Sequence, residues 1–167
     1  MSEGWQSLIV KEFSRLTAGG TPSTSKMEYW SNGTIPWLSS GEVHKKRIRY
    51  VDGYITEDGL KNSAAKLIPI KTLLVALAGQ GKTRGTVAIT EIETTTNQSI
   101  AGIIADKEIC HPDYLFFNLD SRYDELRSIS GGSGRAGLNL EILGNIDVSL
   151  PPLPEQKKIA SILTSVD

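Results

Sequence analysis

The segment Ala76–Thr83 carries the pattern most typical of a chemical site, because it reads Ala-Leu-Ala-Gly-Gln-Gly-Lys-Thr. It satisfies a relaxed form of the Walker A loop, in which backbone amides and a lysine hold phosphates at the start of a helix. Residues 84–90 follow it with a glycine and several β-branched side chains, which favour a strand over a helix. A P-loop phosphotransferase that uses Lys82 and Thr83 to bind a nucleotide is therefore the weaker interpretation.

The same segment has a second interpretation as a DNA-reading loop between two strands. Gln80, Lys82, Thr83 and Arg84 are hydrogen-bond donors flanked by glycines. Glutamine can pair with adenine and arginine or lysine with guanine in the major groove, and all four can hold phosphate. A solvated hairpin tip is the plain alternative. If the loop reads DNA, we expect Gln80 and Arg84 to contact base edges.

A second basic cluster lies at residues 44–49, where Lys45, Lys46, Arg47 and Arg49 supply four positive charges. Residues 113–125, by contrast, hold four acids and one arginine. Charge is thus sorted along the chain, although 18 basic and 19 acidic residues give a formal net charge of −1. A basic run is often only a solvated surface. Two such clusters on one face would instead neutralise several phosphates, and binding would weaken steeply with salt.

Two further segments complete the predicted DNA face. Asn97 and Gln98 end a polar run that either reads bases or only turns the chain into a strand, and the glycine-rich segment 131–135 is either a surface loop or a loop that contacts the DNA backbone. The candidate DNA-binding residues are all polar or cationic: Ser40, Lys45, Lys46, Arg47, Gln80, Lys82, Thr83, Arg84, Asn97, Gln98 and Arg135.

The remaining chemistry argues against an enzyme or a metal protein. Cys110 is the single cysteine, which excludes an internal disulfide and indicates the cytoplasm. His44 and His111 lie far apart in sequence, so no zinc site is expected. No nucleophile, base and oxyanion site come together, and no apolar run is long enough to cross a membrane. We therefore expect a binding module with no catalytic residues, no metal and no cofactor of its own.

Several elements must position these residues. A chain of 167 residues with 39% hydrophobic content is typical of one folded domain. Apolar runs between turn signals predict an irregular α+β domain with a mixed or antiparallel β-sheet, few helices and long loops. The predicted strands are Trp5–Val10, Leu73–Ala78, Thr86–Thr90, Ser99–Ala105 and Ile146–Leu150; the predicted helices are Glu57–Lys66, capped by Thr56, and one or two over His111–Ser128.

The last 17 residues form a separate unit, so the predicted division is 1–150 and 151–167. Proline at 151, 152 and 154 ends the preceding strand and starts a helix. Its apolar residues Ile159, Ile162, Leu163 and Val166 follow at i, i+3, i+4 and i+7, which makes one stripe. Such a short helix is marginal alone. It therefore packs on its own domain, binds a partner or begins a longer helix, and the proline-rich hinge favours the last two. We expect the stripe, with Leu153, to contact a partner or the rest of a longer helix.

Five segments occur in a recognisable order: Gly19–Ser23, Ile35–Val43, Lys66–Pro69, Thr96–Ile100 and Leu138–Leu163. This series resembles one target-recognition domain of the specificity subunits of Type I restriction–modification systems. The most specific part is Pro-Pro-Leu-Pro-Glu-Gln-Lys-Lys-Ile-Ala, which starts at Pro151. The resemblance covers nearly the whole chain.

The resemblance implies a subunit that is not itself an enzyme. Such a subunit holds double-stranded DNA while modification subunits, which bind S-adenosylmethionine, methylate a flipped adenine, and restriction subunits join to cleave unmethylated DNA. It normally has two recognition domains, each of which reads half of an interrupted site, separated by two long helices in an antiparallel coiled coil. This chain has one such domain and the start of one helix. The resemblance therefore implies a fragment or a half-subunit, with a second recognition domain or a homodimer mate among its partners and with the 151–167 stripe against the spacer or a modification subunit.

Overall fold

A computed structural model of the chain describes residues 4–79, 81–129 and 138–166. Within these ranges the chain forms three β-sheets and five α-helices. The strands are β1 (Gln6–Ile9), β2 (Ser14–Ala18), β3 (Ile35–Leu38), β4 (Arg47–Ile48), β5 (Gly53–Ile55), β6 (Leu73–Ala76), β7 (Val87–Thr90), β8 (Thr95–Thr96), β9 (Ile100–Ala105) and β10 (Asp147–Leu150). The helices are α1 (Glu57–Lys61), α2 (Pro112–Asp120), α3 (Tyr123–Ser128), α4 (Leu140–Gly144) and α5 (Leu153–Ser165), with 3₁₀ helices at Val10–Glu12, Met27–Tyr29 and Ser40–Lys45.

The central sheet has five strands in the order β2-β9-β6-β7-β4, and its β6–β7 pair carries the candidate loop. β6 and β7 are antiparallel, with Val75 opposite Val87. Their side chains alternate between two hydrophobic cores, because Leu73 and Val75 pack in one core while Leu74 packs in the other. Burial on both faces explains why these strands are continuous apolar runs. The hairpin tip is therefore held on a rigid base.

The layers on the two faces of this sheet bring the other candidate segments to the same region. Helix α2 packs in the first core through Leu115, Phe116 and Leu119. The second core contains Val43, from the 3₁₀ helix Ser40–Lys45, and Ile48 of β4. β4 runs parallel to β7, with Arg47 opposite Ile89. The basic run thus lies along the edge of the sheet, next to the strand that leaves the hairpin tip.

Helix α5 leaves the domain after β10, which pairs with β1 in a separate two-stranded sheet. Gln156 anchors its first turns: its Oε1 accepts from the main-chain N–H of His111 at 2.8 Å, and its Nε2 donates to the carbonyls of Ile109 and Pro151 at 3.0 and 2.8 Å. Gln156 and Ala160 are buried. The base of α5 is thus fixed to the domain by hydrogen bonds as well as by packing.

The α+β class with few helices is confirmed, and each predicted strand is present but shorter than predicted. Thr56 caps α1 as expected, since its Oγ1 accepts from the Gly59 N–H at 3.1 Å, but the helix ends at Lys61 and not at Lys66. The segment 111–128 divides into α2 and α3. Pro154 lies in the first turn of α5, while the division at residue 150 and the spacer role of α5 stay predictions. No helix among the described residues is long and apolar enough to cross a membrane.

Candidate nucleic-acid interface

A cleft of about 450 Å³ joins the two cationic segments. Three segments line this cleft: the 3₁₀ helix Ser40–Lys45 with the residue that follows it, the β6–β7 hairpin up to the start of β7, and the start of α3. The lining residues are Ser40, Gly41, Val43, His44, Lys46, Lys82, Thr83, Thr86 and Tyr123. Lys46 and Lys82 therefore lie on the same cleft, as the two-cluster hypothesis requires. Arg84 does not line it. Arg84 is half-buried, and its Nε is buried with no hydrogen-bond partner among the described atoms.

The hairpin tip is held by side chains of α3. The Tyr123 hydroxyl donates to the carbonyl oxygen of Lys82 at 2.7 Å. The Arg127 guanidinium donates from Nη1 to the carbonyl of Arg84 at 2.6 Å and from Nη2 to that of Gly81 at 2.7 Å. The main chain of the tip is thus fixed at three places.

Lys45 makes its contacts within the protein. Its Nζ lies 2.9 Å from Glu42 Oε1 and 3.9 Å from the centre of the Tyr50 ring, and its side chain is only 12% exposed. Burial alone would raise the pKa of Glu42. Hydrogen bonds from the Ser39 N–H, Lys45 and the Asp52 N–H outweigh burial, so that the pKa of Glu42 lies below its ordinary value. This arrangement stabilises the 3₁₀ helix. Because Lys45 is already paired and mostly buried, its ammonium group is poorly placed to contact a phosphate.

Arg47 is also engaged within the protein. Its Nη1 lies 2.9 Å from Asp113 Oδ1 and 3.0 Å from Glu91 Oε1, and the Arg47 side chain is 11% exposed. Lys71 Nζ contacts the same two acids, at 2.9 Å from Glu91 Oε1 and 3.2 Å from Asp113 Oδ2. Burial would raise the pKa of Asp113, but the hydrogen bonds and charges of Arg47 and Lys71 dominate and lower it. The result is a half-buried four-charge cluster between β4, β7 and α2.

Lys46 differs from its neighbours, because it remains partly open to solvent. Its Nζ lies 2.6 Å from Asp120 Oδ1, with the two side chains 44% and 33% exposed. Its backbone has φ of +67°, which is uncommon outside glycine and costly to hold. Of the three predicted phosphate contacts in this run, Lys46 is the one that lines the cleft. The separated charges of the sequence thus compensate each other in space, since acids of α2 pair with the basic run.

The other predicted DNA-binding residues have different surroundings. Ser40 lines the cleft, and its Oγ lies 3.5 Å from Asn97 Nδ2. Asn97 Oδ1 accepts from the Ser99 N–H at 3.0 Å, so this side chain shapes a turn. Gln98 is exposed and hydrogen-bonds to the Thr21 hydroxyl. Gln80 and Arg135 lie outside the described residues. Contact of any of these residues with DNA stays a prediction.

The residues of the predicted partner stripe on α5 differ in their exposure to solvent. Leu153 and Ile159 are half-buried against the chain's own domain. Ile162, Leu163 and Val166 are 56%, 37% and 78% exposed. The far end of the stripe is therefore open to another surface, while its base is not.

Sequence reasoning missed His44, Tyr123 and Arg127. Nδ1 of His44 lies 2.7 Å from the Gly41 carbonyl oxygen, to which it donates. Tyr123 and Arg127 are four residues apart, a spacing that puts two side chains on one face of a helix. This signal marks a shared face but does not indicate which loop the face meets.

The P-loop interpretation finds no support in this geometry. No helix follows Thr83; the Gly85 N–H donates to the Ala76 carbonyl at 2.9 Å and leads the chain into β7 as the second strand of a hairpin. Burial raises the pKa of the Cys110 thiol to about 12, which disfavours the thiolate form that a nucleophilic cysteine needs. Among the described residues, no three His, Cys, Asp or Glu side chains group as metal ligands.

Comparison with known proteins identifies the family. The family described as "Type I restriction modification DNA specificity domain" matches residues 2–167. The chain belongs to this family. Two relatives of this specificity domain are each 30% identical to it over 98% of its length: the EcoR124I/EcoR124II specificity subunit of Escherichia coli and the MjaIX specificity subunit of Methanocaldococcus jannaschii. The chain spans 40% and 38% of those two proteins, so it corresponds to one part of each.

Solved structures share the fold of this specificity domain. The HsdS subunit of Thermoanaerobacter tengcongensis superimposes with a TM-score of 0.75 at 16% identity, over 99% of this chain and 38% of that one. The Type I S subunit of M. genitalium gives 0.74 at 13% identity, over 99% and 39%. At these identities the likeness supports the fold alone. The fold of the specificity domain is thus kept while most side chains differ.

Proposed function

We propose that this chain is a target-recognition domain of a Type I restriction–modification specificity subunit, and that it reads one half of an interrupted site in double-stranded DNA. The match of residues 2–167 to a DNA specificity domain carries this proposal. The cleft supports it, because Lys46 and Lys82 come from separate segments and line one depression.

We assign different parts of DNA binding to the residues that line the cleft and to other candidate residues of the chain. Lys46 and Lys82 hold phosphates, which position the duplex without specifying its sequence. Ser40 and Thr83 add hydrogen-bond donors on the same surface. Gln80 and Arg84 read base edges from the hairpin tip. Lys45 and Arg47 act indirectly, by holding the 3₁₀ helix and β4 in place through their ion pairs.

We further propose that the chain has no catalytic activity and works through partners. Two relatives are named as specificity subunits of Type I restriction enzymes, which supports assembly with modification and restriction subunits. We propose that the modification subunits, and not this chain, bind S-adenosylmethionine. The exposed residues Ile162, Leu163 and Val166 of α5 would meet the rest of a spacer helix or a modification subunit. A second recognition domain or a second copy of the chain would read the other half-site.

Selection from a pool of random DNA duplexes tests the proposal. We expect one short sequence to be enriched and the affinity to fall steeply with salt. No enrichment together with little salt dependence would instead identify a protein-interaction module. A titration with ATP and Mg²⁺ should give no saturable signal, whereas saturation would revive the phosphotransferase alternative. Methylation mapping in cells that carry the intact system would then report both half-sites and the gap between them.

Single substitutions test the assignment of roles. Arg84→Ala should cost about 1–3 kcal/mol on the selected half-site and relax one position. Lys46→Ala should weaken binding to all sequences alike, as expected of a phosphate contact. Equal losses for Arg84→Ala on selected and scrambled duplexes would reject its base-reading role.

A further inference from the structure

The tip of the β6–β7 hairpin is restrained through its main chain, both by side chains of α3 and by the Thr86 hydroxyl, which donates to the Lys82 carbonyl at 3.0 Å. Three carbonyl oxygens, those of Gly81, Lys82 and Arg84, accept hydrogen bonds from the Tyr123 hydroxyl and the Arg127 guanidinium of α3. All three distances lie between 2.6 and 2.7 Å. Helix α3, which lies outside the loop, therefore adds three hydrogen bonds to those that the hairpin makes within itself.

Glycine at position 85 makes this approach possible. Gly85 has φ of +89°, and a Cβ built there would lie 2.9 Å from Cγ of Arg127. The stem of Arg127 thus lies against bare main chain, which any side chain at position 85 would displace. Gly79 has φ of +123°, and a Cβ there would lie 2.9 Å from Cβ of Thr83. Left-handed glycines and the two donors of α3 together specify one shape for the tip.

These hydrogen bonds also change which polar groups of the tip are available to DNA. Carbonyl oxygens carry partial negative charge and repel phosphates, but here three of them are bound to donors of α3. Lys82 and Thr83, which line the cleft, and Arg84 remain as donors on the tip. Base reading depends on hydrogen-bond geometry, and a loop that must first be ordered loses part of its binding free energy. A fixed tip therefore favours discrimination between sequences more than it favours overall attraction.

We propose that Tyr123 and Arg127 are positioning residues that set the DNA sequence preference of the hairpin tip without being base-reading contacts themselves. This inference rests on the proposed function of DNA recognition. It assigns to α3 a role in specificity that the candidate DNA-binding residues of the sequence did not include.

Two conservative variants of the whole chain test the inference. Tyr123→Phe removes one hydroxyl, and Arg127→Lys keeps the charge but loses the planar fork that reaches two carbonyls. Affinity is measured for the duplex selected by the unaltered chain and for a scrambled duplex of the same composition, over a salt series. Arg15→Lys is the matched control, because Arg15 is an exposed cation on β2, the outer strand at the other edge of the central sheet.

For each variant we expect the ratio of the two affinities to fall about 2- to 10-fold, the range that corresponds to one hydrogen bond. Affinity for the scrambled duplex and its salt slope should not change, because no charge is gained or lost. The control should leave the ratio unchanged. An unchanged ratio in Tyr123→Phe, or an equal loss on both duplexes, would overturn the inference. If Arg127→Lys does not fold, Tyr123→Phe alone decides.

The outcome distinguishes this inference from the proposal on which it rests. A failure of the unaltered chain to select any sequence would overturn DNA recognition itself. Selection by the unaltered chain, with the same ratio in both variants, would leave recognition intact and reject only the role of α3.

Discussion

Replacing Asp120 by asparagine should strengthen binding to DNA of any sequence. Lys46 Nζ is paired with Asp120 Oδ1 at 2.6 Å, and both side chains are partly exposed. A phosphate must replace this carboxylate as the partner of Lys46, so the free energy of the ion pair opposes binding. Such partly exposed pairs contribute about 0.2–1 kcal/mol. Their loss corresponds to a gain of about 1.4- to 5-fold in affinity for every duplex.

The assay is fluorescence anisotropy with a labelled random-sequence duplex over a salt series. Lys46 contacts a phosphate in both proteins, so Asp120→Asn should raise the affinity at every salt concentration and leave the slope of log K against log salt unchanged. Asp124→Asn is the matched control, because Asp124 is an exposed acid of neighbouring α3. It removes the same charge without releasing a lysine. Lys46→Ala is then measured in the unaltered and the Asp120→Asn backgrounds.

The double-mutant cycle separates exchange of partners from a change in net charge. Lys46→Ala should cost more binding free energy in the Asp120→Asn background, where its charge is free. Equal gains in affinity for Asp120→Asn and Asp124→Asn would mean that net charge alone acts. Equal costs of Lys46→Ala in both backgrounds would refute the reasoning, because Asp120 would then not compete with phosphate.

Three predictions concern stability, measured as the free energy of unfolding in urea. Gln156→Leu should lower it by about 3 kcal/mol, because one buried and two partly buried main-chain groups lose their partner; a loss below about 1 kcal/mol would contradict this account of the α5 anchor. Gly85→Ala should lower it by about 1–2 kcal/mol, since φ is +89°; an unchanged value would show that the tip shifts freely. The lowered pKa of Asp113 stabilises the folded state above the ordinary carboxyl pKa near 4, and this contribution is lost as the pH falls through the lower folded value. Stability should therefore drop as the pH falls below about 5, and Asp113→Asn should flatten the drop; an equally steep drop in the variant would assign it to other groups.

The central strands were predictable from the sequence because local pattern and tertiary environment agree. β6 is apolar throughout and β7 is apolar except for the buried Thr90, and the structure buries both of their faces in separate cores. β4 and β8 were not predictable. Each has two residues, and such short strands exist only because β7 and β3 lie beside them. A two-residue strand has too few side chains to show a period.

The candidate site was predictable only in part, for an electrostatic reason. The basic run and the glycine-flanked loop are visible in the sequence, and both supply residues to one cleft. The partners of the basic run are not visible, because Asp120 is 74 residues from Lys46. The role of Arg127 is hidden for another reason. Its described hydrogen-bond partners are main-chain carbonyls, which every residue has and which therefore leave no signature.

Helices α2 and α3 follow each other closely but, under the proposed function, act on different parts of DNA binding. Asp120, at the end of α2, pairs with Lys46, whose proposed contact with phosphate would be independent of sequence. Tyr123, at the start of α3, acts on the main chain of the tip, which bears on base reading. Because one acts through charge and the other through geometry, Asp120 should change affinity for all duplexes and Tyr123 should change only their ratio. A chain with almost no net charge can then bind DNA selectively, since attraction and discrimination depend on different atoms.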